Sequence, residues 1–397
     1  MFSSACFLAI AFGQPVVGQV AEDDPVRDAS VHIGPVGLNP GVTVRDVGVD
    51  NNVFNEINNP KRDFTFTIEP TLTILMRTRR GLLTADGRLD LVYFNTYDTE
   101  RSINGFSHAR YEYAFNRFKP FASLSALDTR ERPGYEIDAR ARRFENTFQI
   151  GLDAKVASKS TLQIGVRRQT VAYAGEAIFL GRRLEDVLNR TLGAADVNWR
   201  QQLTVLTTVV VNASSERERF TFSPARNSNS LRFRGGLELG RFALIRGNAF
   251  VGYRRLKPVE GSALPEFSGI TADVNVAYTA PTQTRLSLGI ARDIQYSFEI
   301  TNPYYVQTGW TAGLTQRVIG RWEVRVTGGQ DRLAYRTSQL TVGARVDRVD
   351  RVGGGVGYAL GDDTSVGFVV ESIKRNSDEP GRQYQSVRSF GSVNYAF

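Results

Sequence analysis

From residue 36 to the end of the chain, apolar and polar side chains take turns one by one in short runs, and no run repeats at helical spacing. The segment from Phe64 to Ile74 is the clearest example. Phe64, Phe66, Ile68, Leu72 and Ile74 alternate there with Thr65, Thr67, Glu69, Thr71 and Thr73. Side chains on a strand point to opposite faces with period two, so such a run has one face that avoids water and one that prefers it.

Dividing the sequence at its Gly, Pro, Asn and Asp signals gives eighteen strands: 34–47, 63–76, 81–94, 105–117, 119–129, 142–154, 160–173, 187–199, 203–216, 229–240, 243–255, 267–279, 283–296, 304–317, 321–335, 345–360, 364–375 and 385–397. The pair 105–117 and 119–129 carries the weakest alternation. Connections of two kinds follow one another. Short turns are expected at Arg77–Arg80, Arg117–Lys119, Arg200–Gln202, Gly240–Phe242, Thr279–Gln283, Val318–Gly320 and Gly361–Asp363, and longer polar connectors at Gly48–Arg62, Thr129–Ala141, Arg255–Glu266 and Lys374–Gln383. An even strand number with short turns at one end and long loops at the other is the pattern of a bacterial outer-membrane barrel. The expected fold is therefore all-β, a transmembrane antiparallel up-and-down β-barrel.

Composition agrees with this reading. Charged residues make up 23% of the 397 and aromatics 11%, and the mean hydropathy is slightly negative, so no segment is apolar enough to cross a bilayer as a helix. A barrel strand needs only about 9–11 residues, half of which face lipid. Two aromatic girdles are expected: Phe118, Trp199, Tyr278, Trp322, Tyr358 and Phe397 beside the short turns, and Tyr93, Tyr173, Tyr253, Tyr335 and Tyr384 near the long loops. Closure requires the last strand to pair with the first, because an open edge in hydrocarbon leaves backbone groups unpaired.

The N-terminus differs. Residues 1–20 read as a secretory signal peptide that lacks a basic start, followed by a short periplasmic segment at 21–33 and the barrel at 34–397. Cys6 is the sole cysteine and leaves with the signal, which suits passage through an oxidising periplasm. No plug domain is expected before the first strand. The net charge of +8 rests on arginine. These arginines stand singly through the strands and do not form a nucleic-acid footprint, so an anionic solute, outer-membrane lipid or lipopolysaccharide is the expected partner, with no nucleic acid.

At the C-terminus, Val387, Ser389, Gly391, Val393, Tyr395 and Phe397 alternate with Arg388, Ser392 and Asn394. This resembles the assembly signal of outer-membrane barrels, with Tyr395 and Phe397 as its aromatics, and implies handling by the barrel-assembly machinery. The runs Val47–Phe54, Asn189–Thr191 and Arg292–Glu299 with Pro303–Tyr305 resemble the family of putative beta-barrel porin 2, over residues from about 35 to the end. The resemblance implies a barrel of about eighteen strands, and the residues themselves give no cofactor to expect. It also implies association with exopolysaccharide biosynthesis systems and a periplasmic polysaccharide export protein as partner. That inference is one of association.

With the apolar face outside, the opposite parity lines the bore. The candidate pore-lining residues are Glu69, Arg88, Asp90, Arg110, Arg167, Arg232, Arg234, Glu238, Arg246, Arg254, Arg325, Arg351 and Arg388, with Leu231, Phe233, Val251 and Tyr253 among those facing lipid. The arginines either grip carboxylates or sulfates of a passing polymer or brace the wall by pairing with Asp and Glu across strands. A loop folded into the lumen is expected from Ala174–Leu184 or Asp293–Pro303. A barrel of this size leaves an aqueous channel. The expected function is conduction of an exopolysaccharide across the outer membrane, with passive diffusion of small anionic or sugar solutes as the alternative.

A barrel-embedded hydrolase is a third class that the residues disfavour. The histidines are His32 and His108; Ser107 and His108 are adjacent on a strand and point to opposite faces, so they form no nucleophile and base pair. With no mature cysteine and no histidine pair, no zinc site is expected. Gly353–Gly357 lies in a strand and lacks the third glycine of a dinucleotide loop.

Overall fold

The computed structural model describes residues 25–240, 243–281, 283–337, 345–361 and 363–396. The expected signal peptide and Phe397 lie outside the described residues. Among those described, eighteen antiparallel strands form one closed wall: β1 Val36–Asp50, β2 Asp63–Arg77, β3 Gly81–Phe94, β4 Ser102–Tyr113, β5 Phe118–Thr129, β6 Arg143–Ala157, β7 Ser160–Tyr173, β8 Arg190–Thr204, β9 Thr207–Phe220, β10 Ser228–Leu239, β11 Ile245–Pro258, β12 Phe267–Thr279, β13 Thr284–Tyr296, β14 Tyr304–Ile319, β15 Trp322–Arg336, β16 Val346–Ala359, β17 Thr364–Ser377 and β18 Tyr384–Ala396. Each strand pairs with its chain neighbours, and β18 pairs with β1 through Val42 with Tyr395 and Val44 with Val393. No helix among the described residues is long and apolar enough to cross a membrane; the strands do so.

The wall is inside out relative to a soluble protein. Phe233 and Val251 are 58% exposed on the outer face, whereas Asp331 and Asp347 on the inner face are fully buried. Alternation produces this directly, because one parity meets lipid and the other meets the bore.

Several boundaries differ from the sequence reading. β8 runs through Arg200–Gln202 to Thr204, and the turn is Val205–Leu206. The Gln201–Gln202 doublet looks like a turn in the sequence but faces a strand partner, with Gln201 beside Ser160 and Gln202 beside Thr208. The turn expected at Arg117–Lys119 sits earlier, because Phe118 and Lys119 pair with Ala154 and Asp153 in the ladder. β1 extends three residues further, to Asp50, through a bulge: the register shifts between Arg45 and Gly48, with Asp46 at φ 57°. The bulge turns two consecutive charged residues toward the bore.

Of the girdle residues, Phe118, Trp199, Tyr278 and Trp322 are exposed on the lipid face, with the Tyr358 ring tilted against Trp322 at 4.9 Å. At the other end Tyr93 and Tyr253 also face outward, Tyr93 stacking on Phe66. Tyr173, Tyr335 and Tyr384 do not belong to a girdle. They are buried, and they share parity with Arg167, Arg325 and Arg388 on their own strands, so they point into the bore.

The segment before β1 packs inside the short-turn mouth. Val26 and Ala29 pack on Leu75, and Val31–Ile33 forms a hairpin with the start of β1. Gly37 makes room for this contact, since a Cβ there would stand 2.6 Å from the Ala29 Cβ.

Candidate functional site: the barrel lumen

The loop between β5 and β6, residues 130–142, folds into the bore and reaches the opposite wall. Gly134 lies beside the Tyr305 hydroxyl, 3.9 Å from where its Cβ would be, and Tyr305 is the second residue of β14, halfway round the ring from β5. Three consecutive residues make the crossing. Tyr135 packs against Tyr305, Leu333, Tyr335 and Val349 and accepts a hydrogen bond from Arg351. Glu136 accepts from the Ser297 hydroxyl at 2.6 Å and the Phe298 amide at 3.2 Å, and its carbonyl accepts from Arg375 and Arg382. Ile137 enters a separate apolar cluster with Tyr173, Phe179, Leu184, Val187 and Phe298. The polar bore thus holds a small soluble-type core, and that core is why Tyr173 and Tyr335, two of the residues expected in a girdle, point inward, while Tyr384 borders the space beside it.

Ionic contacts fix the loop further. Asp138 meets Arg375 at 3.0 Å and Arg382 at 3.6 Å. Arg375 also pairs with Asp347 at 2.6 Å, and Arg345 with Asp347 at 2.7 Å. On the near side Arg132 donates to the Val53 carbonyl at 2.5 Å, and Arg140 pairs with Glu100 at 3.3 Å. Burial pushes the Glu136 carboxyl up to about 7. Burial and the neighbouring Arg132 charge pull Arg140 down to about 10. A charged group taken out of water prefers its neutral form, which explains both directions.

The loops expected to enter the lumen, Ala174–Leu184 and Asp293–Pro303, do not cross it. They buttress the loop that does. Phe179 and Leu184 pack with Ile137, and Ser297 holds Glu136. The sequence of 130–142 is rich in charge and poor in apolar residues, so it read as a solvated connector.

With the loop in place the bore retains a space of about 630 Å³ lined by Arg45, Asp50, Tyr135, Arg351, Tyr384 and Arg388. A second space of about 360 Å³ is lined by Arg167, Glu216, Arg232, Arg234, Arg254 and Asp293. Gly134 borders both.

The wall and its lining are those of a porin, and the family described as putative beta-barrel porin 2 matches residues 24–396. The chain belongs to this family. Among solved structures it is similar to a BenF-like porin from Pseudomonas fluorescens Pf-5, with a TM-score of 0.51 at 8% identity over 92% of this chain and 100% of that one. It is also similar to OccAB3 of Acinetobacter baumannii, at 0.49 and 9% over 91% and 99% of the two chains. A bacterial polysaccharide outer membrane secretin gives 0.35 and 10% over 90% and 98%. A comparison with curated proteins finds no match. At these identities the likeness to the first is one of fold. The porin is a channel-type barrel of the bacterial outer membrane.

In this porin the thirteen residues singled out from the sequence divide by contact. Arg351 and Arg388 border the larger space, and Arg167, Arg232, Arg234 and Arg254 the smaller. Arg254 bridges Glu216 at 3.1 Å and Asp293 at 3.0 Å, with Arg232 on Asp293 at 2.8 Å. Arg351 pairs with Asp331 at 2.7 Å and Arg388 with Asp50 at 3.1 Å. Glu69 and Asp90 converge on Arg45 at 2.9 and 3.4 Å, and Arg88 joins Asp90 at 3.5 Å. Glu238 meets Arg200 at 3.3 Å. Arg110 pairs with Glu112 at 2.6 Å, and Arg325 with Glu323 at 3.3 Å. Arg234 donates to Asn212 at 3.1 Å, and Arg246 stands in register with buried Ala277. The bracing role is the one these contacts favour. Many pairs run along one strand between residues two apart, a distance of roughly 7 Å that an arginine spans easily, as well as across strands.

The residues that hold the loop, Asp347, Arg375 and Arg382 with Glu136 and Asp138, were not among the candidates. Asp347 and Arg375 share parity with Arg351 and Glu371, so following the alternation to the strand ends finds them. The family-like run Arg292–Glu299 has its reason here too. Asp293 takes Arg232 and Arg254, the Tyr296 hydroxyl donates to Glu218 at 2.7 Å, Ser297 holds Glu136 and Glu299 accepts from Arg345. The second run works alongside it, with the Asn189 side chain accepting the Tyr173 amide at 2.6 Å and Arg190 meeting Glu218 at 2.9 Å.

Proposed function

We propose that the protein conducts an exopolysaccharide outward across the outer membrane as part of an export machine, with loop 130–142 as the segment that must leave the bore for a polymer to pass. The observation that carries this reading is a closed eighteen-strand wall with a hydrophilic inner face, obstructed by one connector that joins the wall covalently at its two ends and crosses the bore by non-covalent contacts. The contacts at its crossing point join hydrogen bonds and ion pairs to the two apolar clusters around Tyr135 and Ile137. The hydrogen bonds among them exchange for water or for sugar hydroxyls, because each contributes only about 1 kcal/mol net. Lining arginines freed from their carboxylates offer planar donor forks to an acidic polymer. The resemblance of the family to exopolysaccharide systems supports the same reading by association, and a periplasmic polysaccharide export protein would be the partner that supplies the displacing force.

Deleting the gene tests this directly. Surface polymer is expected to vanish while synthesis continues, and normal surface polymer in the deletion strain refutes the proposal. A passive diffusion porin for small anionic or sugar solutes is the second reading, favoured by the small size of the spaces left beside the docked loop. Planar-bilayer recordings separate the two: a porin conducts steadily and is blocked by short oligosaccharides, whereas a closed export channel conducts little until the loop is released.

A further inference from the structure

The β4–β5 ladder stops at Gly105 opposite Asp128, although β4 continues outward through Asn104, Ile103 and Ser102. The chain leaves the wall after Thr129 because the crossing loop begins there. The place that Arg130 would occupy opposite Ile103 is therefore missing from the wall, and a notch of about 650 Å³ opens on its outer face at the long-loop end.

The floor of the notch is apolar and set by register. Ile68, Leu91 and Ile103 stand side by side across three strands, with Phe66 and Tyr93 stacked above them. Ile103 is 68% exposed, which only a hydrocarbon neighbour makes favourable. The banks are cationic. Arg101 lies 4.3 Å from the Tyr93 ring centre, oriented by the Phe94 and Asn95 carbonyls at 2.8 and 3.2 Å. Arg142 stands on the other bank, paired with Asp128 at 2.8 Å and half exposed. Arg130 closes the back and donates to the Thr99 carbonyl. Three guanidiniums therefore face the notch, with Asp128 and Glu176 as the carboxylates that act on Arg142. Arg130, Val92 and Ser102 border both the notch and the larger space of the bore, so an occupant of the notch touches the root of the crossing loop.

We propose that this notch binds an outer-leaflet lipid with a phosphorylated headgroup, the chemistry of lipopolysaccharide, seating phosphate among Arg101, Arg130 and Arg142 and the first part of an acyl chain along Ile68, Leu91 and Ile103. Charge selects an anion, the apolar row selects a chain, and the long-loop end places both in the outer leaflet. The proposal rests on residence in the outer membrane and not on the cargo of the channel.

Native mass spectrometry of the full barrel in a non-ionic detergent tests it, with bisphosphorylated lipid A, the same lipid without its phosphates, and inorganic phosphate as probes. One lipid A is expected to stay bound. Retention is expected to fall at least tenfold in Arg142→Gln and in Arg101→Gln, and equally for the dephosphorylated lipid. Ile103→Asn is expected to weaken lipid A as well. Heat-modifiable migration on a gel reports folding, and the exposed Arg142 site tolerates substitution without loss of the wall. Equal retention by wild type and the arginine variants overturns the proposal, as does equal retention of the dephosphorylated lipid. Full displacement of lipid A by inorganic phosphate assigns the notch to a soluble anion and overturns the lipid reading. A loss of polymer export with lipid retention intact, or the reverse, tells failure of one reading from failure of the other.

Discussion

Glu136 is the residue on which the crossing loop turns, and its environment couples the loop to pH. Glu299, Arg226, Arg375 and Arg382 surround it along with the Ser297 hydroxyl. In the docked loop its carboxyl is held up at about 7 by burial, whereas a solvated glutamate titrates near ~4.3. The docked form therefore keeps a proton that the released form gives up. Docking is fully favoured below the solvated value, weakens as pH rises between the two and is constant above the docked value. Channel conductance in a planar bilayer should accordingly rise from about pH 5 to about pH 8, and Glu136→Gln should flatten that profile. Arg375 makes a second residue-scale prediction. It and Asp347 are both fully buried as a pair, so Arg375→Ala takes one of two guanidiniums from a buried carboxylate and leaves it Arg345 and the hydroxyls of Ser377 and Tyr335. A loss of about 3 kcal/mol is expected in urea titrations of the micelle-embedded barrel.

At the scale of elements, the strands follow from alternation and the loop does not. A strand in a barrel wall has its two faces defined by lipid and water, so a period-two pattern fixes both the element and its orientation. Tyr173, Tyr335 and Tyr384 illustrate the point: grouped by closeness to the long loops they look like a girdle, whereas counted by parity from Arg167, Arg325 and Arg388 they fall in the bore. Loop 130–142 carries no such periodicity. Its fate depends on contacts with β14, β16 and β17 and the 174–189 and 297–303 connectors, hundreds of residues away in places, and nothing local in the sequence marks Tyr135, Glu136 and Ile137 as a crossing point. Replacing residues 132–138 with a short Gly-Ser linker should raise single-channel conductance severalfold while the protein keeps its heat-modifiable shift. Unchanged conductance would mean that the loop does not limit the pore.

For the whole molecule, stability depends on which side of the wall a side chain faces. Val251, in the middle of β11, meets lipid, and Asn248 on the same strand faces the bore. Val251→Arg is expected to cost about 2–4 kcal/mol in reversible folding into bilayers, the penalty of a cation near the midplane. Asn248→Arg is expected to stay within about 1 kcal/mol, because a wet bore hydrates it. Equal costs at the two sites would contradict the inside-out wall.

The amino-acid sequence by itself determined the wall: strand number, closure, the lipid face and most of the charged lining, because each depends on a local alternation that lipid and water read directly. Tertiary structure alone decided what fills the bore. The crossing loop, its clasp on Glu136 and Asp138 and the notch it leaves in the rim arise from groups far apart in the chain, brought together only when the ring closes and a buried carboxylate finds partners on the opposite side.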